Sequence, residues 1–239
     1  MMNEFPEGKG IFETLKTIQG KPFALSRHIA RAARSARKIG ILFPSENEIR
    51  TSVNDLLQPS LELPEMGRLR MTFTDSGDFE LLHENLHSWT TPARLMLLDL
   101  PVDENSLMSG IKSLPFTKNV QALDFARASG FDDGIRFNMK GEVCESAVAN
   151  LLLRIDKKWV TPNIASGCLP GITRELALEW FSIGEDAIYR DALDQADAIF
   201  LLSSLKGLQP VASLGTRDLD IDMDLPAIIS LRMQENVDP

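Results

Sequence analysis

One lysine of the sequence stands in a setting suited to covalent chemistry. Lys112 lies two residues after a glycine and between apolar neighbours, in the run Gly110-Ile111-Lys112-Ser113-Leu114. An apolar environment lowers the pKa of a lysine and makes its neutral amine available for Schiff-base formation. The alternative is an ordinary loop lysine, because lysines are mostly exposed. These residues alone leave both interpretations open.

A carboxylate and an amide lie close together in a segment of small residues. Glu145 is placed at a predicted strand end, and Ser146-Ala147-Val148-Ala149 leads from it to Asn150. Small side chains let a flat ligand approach the backbone closely. A solvated glutamate at a strand end is the alternative.

Two further segments offer groups that could bind an anion. Leu169-Pro170-Gly171-Ile172-Thr173-Arg174 leads directly into a predicted helix, where backbone N–H groups and a threonine hydroxyl suit phosphate. Ser203 and Ser204 follow the predicted apolar strand 198–202 and could add hydroxyl donors. Either segment could equally be an ordinary helix cap or turn.

Four basic residues recur at helical spacing near the N-terminus, namely Arg27, Arg31, Arg34 and Lys38. Such a face could contact phosphate or nucleic acid, or it could simply be solvated. The sequence has 25 Lys plus Arg against 34 Asp plus Glu, a net charge of -9. So acidic a chain opposes binding to nucleic acid.

Taken in order, these segments resemble the class IV aminotransferase family, the fold-type IV enzymes that use pyridoxal 5'-phosphate. The family contains branched-chain and D-amino acid aminotransferases and 4-amino-4-deoxychorismate lyase. The resemblance runs from Gly8 to about Val211. The matching motifs are Gly8-Lys9-Gly10, Phe12-Glu13, His28 with Arg31, Ser35-Ala36, the Lys112 turn, Glu145 with Asn150, Thr161-Pro162, and Leu169 to Arg174.

The resemblance implies a role for each matched residue. Lys112 would hold the cofactor covalently and move the proton, Glu145 would pair with the pyridine nitrogen, and Arg31 would bind the phosphate. The other cofactor-binding residues that it implies are Asn150, Leu169 against the ring face, and Ile172, Thr173, Ser203 and Ser204 around the phosphate.

Of the departures from the family pattern, which include Ser146 in place of a glycine, two bear on the chemistry of the site. Phe12 stands where some members have a tyrosine near the cofactor's phenolic oxygen. Asp75 stands about where several members have an arginine that binds a substrate carboxylate. The short chain and the Ile111-Lys112-Ser113-Leu114 turn suit 4-amino-4-deoxychorismate lyase or a D-amino acid aminotransferase, and the missing arginine argues against the latter. The lyase forms 4-aminobenzoate and pyruvate for folate precursor synthesis. A D-amino acid or branched-chain amino acid aminotransferase is the alternative.

The elements that must position these residues are hairpin strands and a smaller number of helices. Apolar residues predict a strand over Gly10–Ile18, Ser26 is a plausible N-cap for a helix from Arg27 to Ile39, and Ser45-Glu46-Asn47-Glu48 forms a capping box. The predicted class is α+β with largely antiparallel sheet. The resemblance implies a small N-terminal α/β sandwich, residues 1–88, and a larger, mostly antiparallel β-barrel-like domain with helices, residues 89–239.

The composition excludes several classes of protein. No apolar run approaches the ~20 residues of a membrane span, and the N-terminus lacks the basic and apolar regions of a signal peptide. The two cysteines, Cys144 and Cys168, fit a reducing cytosol, and no zinc-ligand spacing occurs. We therefore expect a cytoplasmic protein without metal, nucleic-acid or membrane partners. The resemblance further implies that the protein acts on a small-molecule amine and forms a homodimer.

Overall fold

The computed structural model describes residues 10–58, 62–221, 223–235 and 238. The contacts among them divide the chain into two compact units. The first unit contains the described residues up to Ser88, the segment Ile111–Phe116, and the described residues from Met233 onward; the second contains Trp89–Gly110 and Thr117–Arg232. The domain assignment 1–88 and 89–239 stays a prediction. Gly8 and Lys9 of the first family motif lie outside the described residues.

The first unit is built on a five-stranded antiparallel sheet. Its elements are β1 (Gly10–Ile18), β2 (Lys21–Pro22), α1 (Leu25–Ile39), α2 (Glu46–Leu56), β3 (Met66–Thr74), β4 (Phe79–Asn85) and, later in the chain, β6 (Ser113–Leu114). The strand order is β2-β1-β3-β4, and β6 pairs with the start of β1. The prediction of a strand over Gly10–Ile18 is confirmed.

The core of this unit forms where strand and helix periodicities meet. Ile11 and Leu15 point to the same face of β1, since side chains alternate along a strand, and both are buried. Ile29, Ala32 and Ala36 of α1 pack in the same cluster, while the opposite side of the helix carries exposed basic residues. The sheet and helix faces therefore bury one continuous apolar layer.

The start of α1 differs from the sequence prediction. The helix begins at Leu25 after Ala24, which has a left-handed backbone and no side-chain cap, so the assignment of Ser26 as N-cap is wrong. Instead, the Asp238 carboxylate accepts hydrogen bonds from the backbone N–H and the hydroxyl of Ser26. A carboxylate at this end also complements the helix dipole. The cap comes from a residue that is distant in sequence. The predicted capping box of α2 is confirmed.

The second unit carries a nine-stranded sheet. Its elements are β5 (Ala93–Leu97), α3 (Thr117–Ala128), β7 (Asp133–Phe137), β8 (Val143–Ser146), β9 (Asn150–Ile155), β10 (Lys158–Pro162), a 3-10 turn (Ile164–Ser166), α4 (Ile172–Trp180), β11 (Gly184–Asp186), α5 (Arg190–Gln195), β12 (Ala198–Ser203), β13 (Gly207–Leu214) and β14 (Arg217–Asp218). The closing helix α6 (Asp224–Glu235) begins in this unit.

The strand order of this sheet is β11-β10-β9-β12-β13-β5-β7-β8, with β14 paired to β13. The pairs β10–β11, β13–β5 and β5–β7 are parallel and the others are antiparallel. The α+β class with a mostly antiparallel sheet is thus confirmed. Leu151, Leu153, Ile199 and Leu201, from the central strands, are buried in its core. Within the described ranges, every helix is too short or too polar to cross a lipid bilayer.

Candidate active site

Lys112 lies at an aromatic surface of the first unit. Its carbonyl oxygen accepts a hydrogen bond from the Phe12 N–H at 2.9 Å, which fixes the segment beside β1. Its Nζ lies 4.4 Å from the centre of the Phe12 ring and 4.8 Å from the centre of the Phe116 ring. These two rings meet edge to face, with 5.0 Å between their centres. Aromatic faces attract an ammonium group, so this lysine has partners for its charged form.

Arg31 is held by a buried carboxylate on the neighbouring strand. Its Nε donates to Oε1 of Glu13 at 2.9 Å, and its second terminal nitrogen donates to Oε2 at 2.6 Å. The Nδ1 atom of His28 lies 2.7 Å from the same Oε2. Arg31, Glu13 and His28 are each buried. This bidentate pairing fixes the plane of the guanidinium, which is the group expected to bind phosphate.

The charges of this triad follow from its surroundings. Burial by itself would raise the pKa of Glu13, but the charge and hydrogen bonds of Arg31 and His28 outweigh burial and lower it to about 2. Burial lowers the pKa of His28 and outweighs the hydrogen bond and charge of Glu13, which raise it; the positive charges of Arg31 and Lys112 act in the same direction as burial. Its surroundings therefore favour the neutral form of His28. Its Nε2 atom has no hydrogen-bond partner in the described part of the chain.

Sequence reasoning missed the roles of Glu13 and Arg70. Glu13 lies at an inward position of β1, between the buried Ile11 and Leu15, and a carboxylate there signals a buried partner. Arg70 is buried on β3, with its Cζ 4.5 Å from the centre of the Phe12 ring and its Nε donating to Thr72 at 3.3 Å. No local signal distinguishes it, because an arginine on the polar face of a strand normally reaches solvent.

Glu145 and Asn150 of the second unit hold the same peptide segment. Oε2 of Glu145 accepts a hydrogen bond from the Leu169 N–H at 2.9 Å, and the Asn150 side-chain amide donates to the Leu169 carbonyl at 2.8 Å. Glu145 lies on β8 and Asn150 begins β9. Three residues expected to bind the cofactor are thus brought together here.

The strand that carries Glu145 is anchored by a buried pair. The Ser146 hydroxyl donates to Asp133 at 2.8 Å, and the Ala147 N–H donates to the same carboxylate at 2.9 Å. Burial raises the pKa of Asp133, against the effect of these hydrogen bonds. Glu142, in contrast, accepts hydrogen bonds from Asn138 and from Tyr189. The two neighbouring glutamates therefore have different partners.

The N-terminus of α4 carries groups that could accept an anion. Gly171 is its N-cap and provides no side-chain cap, so the first-turn N–H groups need other acceptors. A Cβ at Gly171 would lie 1.9 Å from Oδ1 of Asn150, so a larger residue there would displace the side chain that holds Leu169. Ile172 and Thr173 are buried, and the Thr173 hydroxyl has no hydrogen-bond partner among the described residues. A buried, unsatisfied hydroxyl at a helix N-terminus suits a phosphate oxygen.

Ser203 and Ser204 lie at the end of β12, close to Asn150 at the start of β9. Leu202, the preceding residue, pairs with Asn150 across the sheet. The Ser203 hydroxyl accepts a hydrogen bond from the Lys206 N–H at 3.2 Å and so closes the turn. Ser204 is half-buried in that turn. The second unit thus places the predicted serines beside the asparagine that contacts Gly171.

The two cysteines adjoin site residues but are shielded. Cys144 precedes Glu145, Cys168 precedes Leu169, and both thiols are buried. Burial raises their pKa values, that of Cys168 to about 11, and the charge of Glu145 acts in the same direction. Neither thiol is therefore a nucleophile at neutral pH. The described residues contain no cluster of side chains that could hold a metal ion.

A comparison with protein families decides the assignment. The family model for amino-transferase class IV matches residues 10–214. The chain belongs to the class IV aminotransferase family. The family assignment made from sequence motifs is therefore confirmed, and with it an enzyme that depends on pyridoxal phosphate.

Individual family members carry different activities. A Thermotoga maritima protein named "Probable branched-chain-amino-acid aminotransferase" is 26% identical over 96% of this chain and 85% of its own length. An aminodeoxychorismate lyase of Vibrio harveyi is 23% identical over 98% of this chain and 93% of its own. A D-alanine aminotransferase of Staphylococcus aureus is 28% identical over 87% of this chain and 80% of its own length.

Solved structures share the fold. The branched-chain aminotransferase of Thermoproteus uzoniensis with norvaline has a TM-score of 0.85 and 21% identity, covering 96% of this chain and 85% of its own. A hypothetical aminotransferase of Mycobacterium tuberculosis in its PLP-bound form has a TM-score of 0.83 and 20% identity, covering 97% and 89%. These likenesses confirm the expected fold-type IV architecture.

Proposed function

We propose that this class IV enzyme is a 4-amino-4-deoxychorismate lyase that releases pyruvate and leaves 4-aminobenzoate. The observation that carries the proposal is that Lys112 and Arg70 contact the same aromatic ring, that of Phe12. A buried guanidinium is suited to binding a carboxylate. A substrate whose carboxylate lies across a six-membered ring from its amine could reach both groups.

The position of Asp75 supports the same choice. Asp75 is exposed in the turn between β3 and β4, about where several family members have a carboxylate-binding arginine. Its negative charge would repel the carboxylate of an amino acid. Arg70 offers an alternative cation, but one set beside an aromatic ring rather than in the turn. A cation at Arg70 in place of one at position 75 favours a substrate that carries its carboxylate on a six-membered ring over a simple amino acid.

The residues proposed to hold pyridoxal phosphate are those that the family resemblance assigned. The unsatisfied Thr173 hydroxyl and the open first turn of α4 fit the phosphate group. Arg31, oriented by Glu13, would add a charged contact to the phosphate. When bound, the cofactor supplies a protonated pyridine ring that withdraws electrons from the carbon bearing the substrate amine. Glu145 would keep the ring nitrogen protonated.

Lys112 would carry the proton in the reaction. Once released by the incoming amine, Lys112 removes the proton from the ring carbon that bears this amine. The bond from the neighbouring carbon to the enolpyruvyl oxygen then breaks, and the substrate ring gains its third double bond. The departing enolpyruvate takes up a proton and becomes pyruvate. The step needs no oxidant and no second keto acid.

An aminotransferase is the second candidate, favoured by the relatives that carry this name. In that reaction Lys112 would move a proton from the substrate α-carbon to the cofactor carbon, and an α-keto acid would leave. Arg70 would then bind the carboxylate of the amino acid. The lyase and the aminotransferase would use the same lysine, so only an assay with the substrates of each reaction can distinguish them.

The deciding experiment supplies both classes of substrate to the loaded enzyme. One arm contains aminodeoxychorismate and the other contains pairs of amino acids and keto acids, each with Lys112→Ala as the control. Formation of 4-aminobenzoate and pyruvate in the first arm alone supports the lyase. Keto-acid exchange in the second arm, without 4-aminobenzoate in the first, contradicts it. Borohydride reduction should attach the cofactor to Lys112; a label on Lys118 would refute the assignment of the lysine.

We also propose, from the family resemblance, that the enzyme is a cytoplasmic homodimer that acts in folate precursor synthesis. Light scattering of the purified, loaded enzyme tests the dimer, since a monomeric mass would contradict it. Restoration of growth without added 4-aminobenzoate, in a host that lacks this lyase activity, tests the pathway. The Lys112→Ala variant should fail to restore growth.

A further inference from the structure

The two rings around Lys112 form an arrangement that the cofactor chemistry alone does not explain. Phe12 is 3% exposed and Phe116 is half-buried, and the Nζ of Lys112 lies within 5 Å of both ring centres. The edge-to-face contact between the rings, at an interplanar angle of 82°, presents two differently oriented aromatic groups to one nitrogen. We call Phe12 and Phe116 the aromatic pair.

Basic groups of neighbouring elements lie near the aromatic pair and Lys112. Arg70 on β3 contacts the Phe12 ring, and on α1 the charge of Lys112 reaches His28, beside Arg31. Glu13 on β1 is engaged by Arg31 and His28. The positive charge of Lys112 lowers the pKa of His28, so an ammonium group here and a positive charge on His28 oppose each other. Aromatic faces can offset part of that cost without adding an acid or a base.

We infer that Phe12 and Phe116 are positioning residues that hold the ammonium form of Lys112 after the substrate amine has released it. The inference rests on the proposed role of Lys112 as the base. When Lys112 accepts the proton from the substrate carbon, it becomes an ammonium group, and the aromatic pair stabilises that product of the transfer.

The absence of hydroxyl groups from these two side chains gives the pair a second property. A phenyl ring neither donates nor accepts a proton, so the proton taken by Lys112 cannot pass to either ring. A tyrosine at the same place would offer a competing donor and acceptor. The aromatic pair therefore keeps the ammonium group close to the reacting carbon and retains its proton for the next transfer.

The test measures the reactivity of Lys112 in the full chain freed of cofactor. Trace acetic anhydride acetylates only neutral amines, and mass spectrometry compares Lys112 with the exposed Lys118 in the same sample. In Phe116→Leu, which removes a ring at similar volume, the Lys112/Lys118 ratio at pH 7 should rise roughly three- to tenfold. Phe116→Tyr keeps the aromatic face and should leave the ratio within twofold of wild type.

Access is separated from charge by repeating the reaction at pH 11.5, well above the ordinary lysine pKa of about 10.4. At that pH the amines are mostly neutral, so the rise in Phe116→Leu should shrink to below twofold. Phe125→Leu, at an exposed phenylalanine of α3, is the matched control and should change nothing at either pH. Phe12→Leu provides a second test of the pair, with circular dichroism confirming that each variant is folded.

Two results would overturn the inference: an unchanged Lys112/Lys118 ratio at pH 7 in both leucine variants, or an equal rise at pH 7 and pH 11.5, which would mean that the rings only block access. Neither result depends on the substrate. If the wild-type borohydride label falls on another lysine, the proposed function fails while the acetylation result still stands.

Discussion

At the residue scale, Glu145 separates cofactor binding from catalysis. Glu145→Gln keeps the size and can still accept the hydrogen bond from the Leu169 N–H, but it cannot supply a negative charge to the pyridine nitrogen. We predict that this variant still binds the cofactor and turns over at least ~100-fold more slowly, a loss of ~2.7 kcal/mol of transition-state stabilisation. Steady-state rates and cofactor absorbance measure the two effects.

Glu142→Gln is the control for this prediction. Glu142 lies three residues away, and its carboxylate is engaged by Asn138 and Tyr189. We expect it to retain nearly full activity. If Glu142→Gln abolishes activity while Glu145→Gln keeps it, the partner of the pyridine nitrogen must be reassigned.

Arg31 provides a second residue-scale prediction. A charge-assisted phosphate contact contributes roughly 1.5–3 kcal/mol, so Arg31→Ala should weaken cofactor affinity about tenfold to a hundredfold. Arg34→Ala, exposed one turn along α1, should leave affinity nearly unchanged. Fluorescence titration of the folded variants compares them. Equal losses would place the phosphate on a different face of α1.

At the scale of elements, Glu13 joins β1 to α1 and should make this contact sensitive to acid. Its pKa is about 2 in the folded chain against 4.5 ordinarily, so its stabilisation is complete above about pH 4.5 and is lost as the pH falls toward 2. The loss should be about 3 kcal/mol of unfolding free energy. Urea unfolding at several pH values measures it.

The variant Glu13→Gln isolates this effect. At pH 7 it should be less stable than wild type, because it leaves Arg31 buried without its carboxylate. The difference between the two proteins should shrink on acidification. Glu46→Gln, which removes an exposed pair with Arg50 on α2, should change stability by less than 1 kcal/mol at any pH. The prediction would be contradicted if the free energies of unfolding of the wild type and Glu13→Gln differed by the same amount at every pH.

Local pattern accounts for the elements that sequence predicted. β1 and the capping box of α2 depend on residues within one element, so alternation and cap chemistry suffice. β6 has two residues and exists only because it pairs with Gly10 and Ile11, which are about a hundred residues away. The cap of α1 likewise comes from Asp238. Elements that depend on distant partners carry no local signal.

The same distinction separates the candidate site residues. Lys112, Glu145 and Thr173 could be singled out because their neighbours in sequence form ordered motifs. Arg70 could not, since it meets the Phe12 ring only when β1 and β3 pair. Phe116 is four residues from Lys112, but its contact with Phe12 forms only when β6 pairs with β1. A buried arginine has the same sequence neighbours as an exposed one, and only its tertiary contacts distinguish it.

For the whole molecule, cofactor binding should stabilise the folded chain. A ligand at a hundred times its Kd adds about 2.7 kcal/mol to the free energy of unfolding. Pyridoxal phosphate should therefore raise the melting temperature, whereas pyridoxal, which lacks the phosphate, should raise it much less. In Thr173→Ala, the melting-temperature shifts caused by pyridoxal phosphate and by pyridoxal should lie closer together than in the wild type. Equal shifts with both ligands in the wild type would argue against a phosphate site.

The shielding of Cys144 and Cys168 makes the protein convenient for spectroscopic labelling. These are its only two cysteines, and both are buried with raised pKa values. A maleimide dye added at neutral pH should leave the native thiols unmodified and react with both only after denaturation. A single cysteine introduced at an exposed helix position, as in Thr51→Cys, would then carry a fluorophore or spin label alone, with no need to mutate the native pair.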